Sequence, residues 1–193
     1  MMLIAQRKGE AVIIGDNSHI AHYERGGMSG IGSVFPVVLQ NHPDGTISLD
    51  DIKHNVPHVN DQHIVHIAGI SLESSQNNCS GRALLPEYIA RVKKVTKKNK
   101  IKLHLDGARS WNSALFLGIT MKEMVKDFDV VNVCLSKGMG CPAGSMIAGT
   151  EEDIKRARVI RKMLGGGMRQ TGILSACALV SLMDWEDRLL LDN

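Results

Sequence analysis

Strand-like and helix-like segments alternate along this chain of 193 residues, and that alternation limits the possible folds more than any other feature. The strand-like segments are rich in β-branched residues and are bounded by Gly, Asp or Ser. They cover residues 11–16, 63–73, 102–107, 130–135 and 144–149. Several are apolar on both faces, as expected of buried parallel strands. The sequence therefore predicts an α/β fold in which helices sandwich a mostly parallel sheet.

The helix-like segments between these strands carry recognisable start signals. Pro86 suits the first position of a helix, and Thr120 with Glu123 three residues later matches a capping box. Thr150 precedes a run of acidic residues, which favours the positive end of a helix dipole. These signals, with the apolar spacing that follows them, predict helices over residues 86–100, 120–128, 150–167 and about 169–188.

Composition excludes several classes of function. A net charge of +3 is too small to indicate nucleic acid binding, so the basic residues within 91–100 are interpreted as a solvated helix face. No apolar run approaches the ~18 residues of a membrane span, and the apolar stretch at the N-terminus is too short for a signal peptide. The four cysteines show no metal-ligand spacing, which favours reduced thiols. We therefore expect a single cytoplasmic domain over residues 1–193.

Two further sequence features are weak indicators of function. His54, His58, His63 and His66 lie close together, but their spacing matches no zinc signature, and no metal site is predicted. The glycine-rich segment 26–33 lacks the GxGxxG pattern and is predicted to be a loop.

Asp106 and Lys137 are the strongest candidates for chemistry. Each follows a predicted strand, and ligands of such sheets bind at the carboxyl ends of the strands. A lysine in a pocket can act as a nucleophile toward a carbonyl group. One cofactor uses both residue types, because pyridoxal phosphate forms a Schiff base with a lysine while an aspartate partners its pyridinium nitrogen. Each signal is weak alone, but together they indicate a pyridoxal-phosphate site.

Four longer segments, 15–27, 103–114, 134–149 and 161–176, resemble the threonine aldolases in order and spacing. That family consists of fold-type-I pyridoxal-phosphate enzymes of the aspartate aminotransferase superfamily. The resemblance covers nearly the whole chain and implies the large domain of that fold.

The resemblance also implies roles for particular residues. Lys137 would hold the cofactor, and Asp106 would pair with its ring nitrogen. Arg109 would lie near the cofactor O3′ or the substrate carboxylate. His19 would stack on the ring and handle protons, and Ser136 would bind the phosphate.

Lys162 and Arg169 are implied to lie near the active site, with Arg169 reaching the site of a neighbouring subunit. A homodimer or homotetramer is expected on the same grounds. The implied reaction is cleavage of a β-hydroxy amino acid, L-threonine or L-allo-threonine, to glycine and acetaldehyde. His19 or a base acting through water would remove the hydroxyl proton.

The sequence departs from the family pattern in two ways. Gln76 stands where many relatives have a histidine, and glutamine cannot shuttle a proton. The family's N-terminal phosphate-binding segment and small C-terminal domain are also missing from these residues. Two alternatives therefore remain: a truncated, impaired remnant or interaction protein, and another fold-type-I lyase such as a β-eliminating enzyme.

Overall fold

The computed structural model describes residues 1–56 and 61–191 and contains a six-stranded sheet flanked by helices. The strands are β1 (Ala11–Gly15), β2 (Phe35–Leu39), β3 (Ile67–Glu73), β4 (Lys102–Gly107), β5 (Val130–Cys134) and β6 (Ser145–Ala148). Their order across the sheet is β2-β1-β3-β4-β5-β6. The first five strands are parallel and β6 is an antiparallel edge strand, which confirms the predicted mostly parallel α/β fold.

Along the chain, helices connect each strand to the next except β5 and β6, which are joined by the loop that carries Lys137. The helices are α1 (His19–His22), α2 (Gly27–Gly30), α3 (Leu49–Asn55), α4 (Pro86–Asn99), α5 (Ser110–Phe116), α6 (Met121–Val125), α7 (Glu151–Met163), α8 (Gly172–Ser181) and α9 (Trp185–Leu190). No helix among residues 1–56 and 61–191 is long and apolar enough to cross a membrane.

The predicted helix starts are confirmed. Pro86 occupies the first turn of α4, and both hydrogen bonds of the Thr120–Glu123 capping box are present at α6. The Thr150 side chain caps α7 by accepting a hydrogen bond from the backbone N–H of Asp153. Helix caps can be predicted from sequence because each cap depends on residues three positions apart.

Three predicted boundaries were wrong. The last helix is divided into α8 and α9, and Arg188 folds back to donate to the carbonyl oxygen of Ser181 at 2.6 Å, which satisfies an end of α8. The strand predicted over 63–73 begins at Ile67, and the segment 26–33 contains the short helix α2 instead of being entirely loop.

The sequence prediction also omitted elements, of which β2 has the clearest physical reason. Pro36 lies inside this strand and cannot donate to a neighbouring strand. β2 lies at the edge of the sheet, where a missing donor is tolerated.

The two faces of the sheet are covered differently. One face carries Ile13, Ile70 and Leu103, which pack against α3, α4, α5 and α6 in the main apolar core. The opposite face carries a smaller apolar cluster around Val12 and Ile14 beside β1. Further along that opposite face, toward β4 and β5, the strands carry polar side chains in place of apolar ones.

Candidate functional site

A row of polar side chains crosses one face of the sheet at its carboxyl edge. In the last residues of three neighbouring strands, every second residue is polar, and alternate residues of a strand share a face. The members of this polar row are Ser71 and Glu73 on β3, His104 and Asp106 on β4, and Asn132 and Cys134 on β5. Register places Glu73 beside Asp106, and Asp106 beside Asn132.

Asp106 lies at the centre of the polar row. Its Oδ1 accepts a hydrogen bond from Asn132 Nδ2 at 3.2 Å and another from the Ala108 backbone N–H at 3.3 Å. In the described part of the chain, no cationic side chain forms an ion pair with this carboxylate. Asp106 is half-buried, so its carboxylate is held in place and accessible to a cationic partner.

Lys137 reaches the same face of the sheet through Cys134. Its Nζ lies 3.3 Å from Cys134 Sγ, and Cys134 is two residues from Asn132 on β5. Because Asn132 bonds to Asp106 and shares a face of β5 with Cys134, Lys137 and Asp106 lie on the same face of neighbouring strands. The Lys137 side chain is exposed, in contrast to the lysine in a pocket that was considered in the sequence.

The loop that carries Lys137 is anchored at its base. The Gly140 N–H donates to the Lys137 carbonyl at 2.7 Å, and the Cys141 N–H donates to the Leu135 carbonyl at 3.0 Å. Gly140 has a φ of +71°, which explains a glycine at this turn. The Met139 side chain is 1% exposed and packs with α8, so the amine extends from a fixed backbone.

A second glycine allows close packing beside Lys137. A Cβ at Gly138 would lie 2.6 Å from Leu189 Cδ2 and 2.9 Å from Asn112 Oδ1. The two glycines that follow Lys137, Gly138 and Gly140, are required for different reasons. One provides a turn conformation, and the other provides room for α9.

His19 lies at the start of α1, just after β1, and is tied to the polar row by its backbone. Its N–H donates to Glu73 Oε2 at 2.7 Å, and Glu73 Oε1 accepts from the Asn77 N–H at 3.0 Å. The His19 ring lies 3.0 Å, through Nδ1, from Glu24 Oε1 and 5.0 Å from the Tyr23 ring centroid. The structure therefore brings His19, Asp106 and Lys137 to one edge and one face of the sheet.

Glu73 is a buried carboxylate beside another carboxylate. Only 7% of its surface is exposed, and burial raises its pKa above the ordinary value. The N–H groups of His19 and Asn77 act in the opposite direction, and the charge of Asp106 raises the pKa further. Its hydrogen bonds connect the loop after β1 to the loop after β3.

His104 is the histidine of the polar row, and it is buried. It is 6% exposed, and its Nδ1 lies 2.8 Å from the Ser71 hydroxyl oxygen. Burial lowers its pKa from 6.5 to about 4, so the ring is neutral at pH 7. The positive charge of the N-terminus lowers this pKa further, whereas Asp106 and Asn132 act in the opposite direction.

We expect His104 to make the folded protein sensitive to mild acid. Between pH 6.5 and about 4, the unfolded chain binds a proton on this histidine that the folded chain excludes. The free energy of unfolding should therefore fall by about 3 kcal/mol as the pH drops through this window. Urea unfolding at several pH values would measure the change.

The acid sensitivity should be specific to His104. His104→Gln should flatten the pH dependence, whereas His63→Gln should not, because the His63 side chain is 80% exposed. The raised pKa of Glu73 has the opposite sign, since it favours folding at low pH and loses this effect as the pH rises. Equal pH slopes in wild type and His104→Gln would contradict the assignment.

Gly15, at the end of β1, has a packing role at the edge of the site. A Cβ here would lie 2.1 Å from Asn41 Oδ1, which accepts from the Asn17 N–H at 3.0 Å. Gly15→Ala should displace Asn41 and lower the free energy of unfolding by about 2 kcal/mol. Urea denaturation would test this with Gly30→Ala as control, because a Cβ at Gly30 meets no atom within 4 Å. Equal midpoints for the two variants would contradict it.

The other residues predicted from sequence lie outside the polar row. Ser136 is exposed, as are Lys162 near the end of α7 and Arg169 in the connection to α8. Among the described residues, none of these three side chains makes a hydrogen bond to the row. Their implied roles stay predictions.

Arg109 is the residue directly before α5, and it lines a cavity of about 820 Å³. Arg82 and Arg91 line the same cavity, and none of the three forms an ion pair within the described ranges. The predicted contact of Arg109 with a cofactor stays a prediction.

The histidine group considered in the sequence forms no cluster in the described part of the chain. His58 lies outside the described residues, and no set of three or more His, Cys, Asp or Glu side chains within 1–56 and 61–191 could hold a metal ion. Within the same ranges, Cys79, Cys134, Cys141 and Cys177 are free thiols.

Sequence reasoning missed Ser71, Glu73, His104, Asn132 and Cys134. The signal that could have found them is the alternation itself, since the three strands end in "ISLE", "LHLD" and "VNVC". Polar residues with a period of two at the carboxyl ends of otherwise buried strands indicate a shared polar face.

The family model and the curated relatives that match this chain are all described as lyases or threonine aldolases in the cases below. The family model described as beta-eliminating lyase matches residues 1–193. The chain is 45% identical over 183 residues to the probable low-specificity L-threonine aldolase 2 of Arabidopsis thaliana. The aligned region covers 94% of this chain and 52% of that protein. The chain thus spans about half the length of the curated relatives it matches.

Solved structures share the fold. A putative aromatic amino acid beta-eliminating lyase/threonine aldolase from Exiguobacterium sp. 255-15 superposes with a TM-score of 0.82 at 23% identity, covering 97% of this chain and 50% of that chain. The PLP-bound C-S lyase of Staphylococcus hominis has a TM-score of 0.64 at 18% identity, covering 95% of this chain and 45% of that chain.

Proposed function

The chain belongs to the beta-eliminating lyase family, and we propose that it binds pyridoxal phosphate and cleaves L-threonine and L-allo-threonine to glycine and acetaldehyde. The observation that carries the proposal is that Asp106 and the Cys134 contact of Lys137 lie on one face of the neighbouring strands β4 and β5. Named relatives that act on threonine at 37–45% identity support the choice of reaction.

The chemistry of the donor set fits the proposed cofactor. Lys137 provides an exposed primary amine, and within residues 1–56 and 61–191 no carboxylate lies within 4 Å of it. Asp106 provides a carboxylate that forms no ion pair with any side chain in the described part of the chain, and His19 provides a planar ring at the same edge. An aldehyde, a ring nitrogen and a flat aromatic face would find complementary groups here.

When bound, pyridoxal phosphate supplies an aldehyde for Schiff-base formation and a ring that accepts the electron pair of a bond broken at the amino acid α-carbon. Lys137 would hold the group covalently, and its anchored loop would fix the direction from which the amine attacks. Asp106 would hold a proton on the ring nitrogen by pairing with its positive charge.

His19 would act on the substrate side of the site. A β-hydroxyl group must lose its proton as the bond between the α- and β-carbons breaks, and a neutral imidazole can accept that proton. The Glu24 contact at Nδ1 leaves Nε2 as the nitrogen available to face the substrate. A base acting through water is the alternative, and the pH profile of His19→Asn would distinguish the two.

Gln76 has a structural role in place of a proton-transfer role. Its Nε2 donates to the Asn17 carbonyl at 2.7 Å, and its Oε1 accepts from the Cys79 N–H at 2.7 Å. With 1% of its surface exposed, the side chain joins the loop after β1 to the loop after β3. Proton handling therefore falls to other residues in this proposal.

Association into a homodimer or homotetramer is part of the proposal. The α8 surface exposes large apolar side chains, with Ile173 at 83% and Met183 just beyond α8 at 85% exposure. Contiguous apolar patches of this kind mark interaction surfaces. Arg169, in the segment before α8, would then lie close to a second copy.

The test uses purified chain, added pyridoxal phosphate and L-threonine. We expect equal amounts of acetaldehyde and glycine, measured by a coupled dehydrogenase assay and by chromatography. Release of ammonia from an aromatic amino acid, without acetaldehyde from threonine, would favour a β-eliminating enzyme. Cofactor binding with neither product would identify a catalytically inert remnant.

A further inference from the structure

Glu73, the last residue of β3, accepts hydrogen bonds at the starts of two separate helical turns. Its Oε2 accepts from the backbone N–H of His19, the first residue of α1, at 2.7 Å. Its Oε1 accepts from the backbone N–H of Asn77 at 3.0 Å, and Asn77 begins the 3₁₀ turn Asn77–Cys79. The first N–H groups of a helix lack a partner within the helix, so this carboxylate satisfies one such group in each turn.

The start of α1 is held from β3 and not by the side chain of its own cap residue. Ser18 stands at the N-cap of α1, but its hydroxyl makes no capping hydrogen bond and donates instead to the Gly15 carbonyl. The N–H of His19 therefore relies on a residue 54 positions further along the chain. Because only 7% of the Glu73 surface is exposed, water cannot readily replace this acceptor.

We propose that Glu73 is a positioning residue that holds His19 in place for its action on the substrate. Glu73 holds the backbone of His19, and Glu24 Oε1 contacts the ring of His19 through Nδ1 at 3.0 Å. Together these two contacts set the position and the direction of the imidazole. The action of the imidazole on a substrate rests on the proposed function, whereas the hydrogen bonds of Glu73 are present in the protein alone.

The effect of Glu73 on His19 can be separated from the joining of the two loops. Gln76 Nε2 and Asn78 Nδ2 both donate to the Asn17 carbonyl, at 2.7 and 2.9 Å. These bonds should keep the loop after β1 attached to the loop after β3 when Glu73 is replaced. A substitution of Glu73 should therefore move His19 without separating the loops.

The first test is NMR on the cofactor-free protein. Glu73→Leu removes both acceptor oxygens at similar size, so the amide proton signals of His19 and Asn77 should move upfield. The nuclear Overhauser effect between the rings of His19 and Tyr23, whose centroids lie 5.0 Å apart, should weaken. Unchanged His19 signals and an unchanged Overhauser effect would overturn the proposal, whether or not the chain binds pyridoxal phosphate.

The second test measures kcat for threonine cleavage by the cofactor-loaded protein. Glu73→Leu should lower kcat by about 10-fold or more, because the base is displaced, while the Lys137 adduct still forms. In a His19→Asn background the same substitution should have little further effect, because Glu73 acts through His19. An equal fall of kcat in both backgrounds would overturn the positioning role.

Glu123→Leu is the matched control. Glu123 Oε2 also accepts a backbone N–H at a helix start, from Thr120 at 2.9 Å, but this exposed residue lies on α6. The control should leave kcat and the His19 signals unchanged, and an equal fall of kcat in Glu123→Leu would overturn the specific role of Glu73. If Glu73→Leu does not fold, Glu73→Gln keeps the size and one acceptor oxygen. In that variant kcat should fall only if the His19 signal moves, and a fall without that movement would overturn the proposal.

Discussion

Lys137→Ala should abolish covalent capture of pyridoxal phosphate. In the wild type, borohydride reduction should leave the cofactor attached to one peptide, which contains Lys137, and mass spectrometry would locate the attachment. Alanine lacks the amine, so no adduct should form, and acetaldehyde production should fall by about 10³-fold or more. The loop should keep its shape, because its anchors at Leu135, Met139 and Gly140 do not involve the lysine side chain.

Lys122→Ala provides the matched control for this change. Lys122 is an exposed lysine on α6, away from the polar row, and its loss should leave both adduct and turnover unchanged. Non-specific labelling of surface amines would appear equally in both variants. An adduct that survives in Lys137→Ala at another lysine would mean that the Schiff base forms elsewhere in the chain.

The part of the fold that could be predicted from sequence is the part that depends on nearby residues. The three or four residues that follow Pro86, Thr120 and Thr150 indicate that a helix starts at each, and all three starts are confirmed. The parallel sheet is indicated by apolar strands separated by helices. β2 was omitted because Pro36 disfavours a strand, and only its edge position makes it acceptable.

The site was predictable to the extent that strand ends meet at one edge of a sheet. Asp106 and Lys137 each follow a strand, and the adjacency of β4 and β5 brings them together. Their connecting residues depend on register, which pairs Asp106 with Asn132 and with Glu73 across distances of 26 and 33 residues in sequence. Alternation indicated which side chains share a face, but register alone decides which of them touch.

The surroundings of Lys137 differ from the pocket that was considered in the sequence. The side chain is exposed, and its Nζ lies 3.3 Å from Cys134 Sγ. The chain spans about half the length of its curated relatives, and α8 exposes apolar side chains near the loop that carries the lysine. In the proposed oligomer, a second copy on this surface would cover apolar side chains close to the lysine loop.

Asp106→Asn should separate cofactor binding from catalysis. Asparagine has the size of aspartate, and its side-chain oxygen can still accept from Asn132 Nδ2 and the Ala108 N–H, so the local structure should persist. It carries no negative charge, so the ring nitrogen loses the partner that favours its protonated form. We expect the Lys137 adduct to form, while kcat for threonine cleavage falls by about 10²-fold or more.

The rate of acetaldehyde release at saturating threonine measures this effect, and the absorbance of the bound cofactor measures occupancy. Asp50→Asn is the matched control, because Asp50 has a 90% exposed side chain far from the row and loses only a surface ion pair with Lys53. Loss of both adduct and turnover would mean that Asp106 holds the cofactor in place and not only its charge. Turnover at the wild-type rate would mean that the ring accepts electrons without this carboxylate, and the hydrogen bonds that converge on Asp106 would then serve the fold alone.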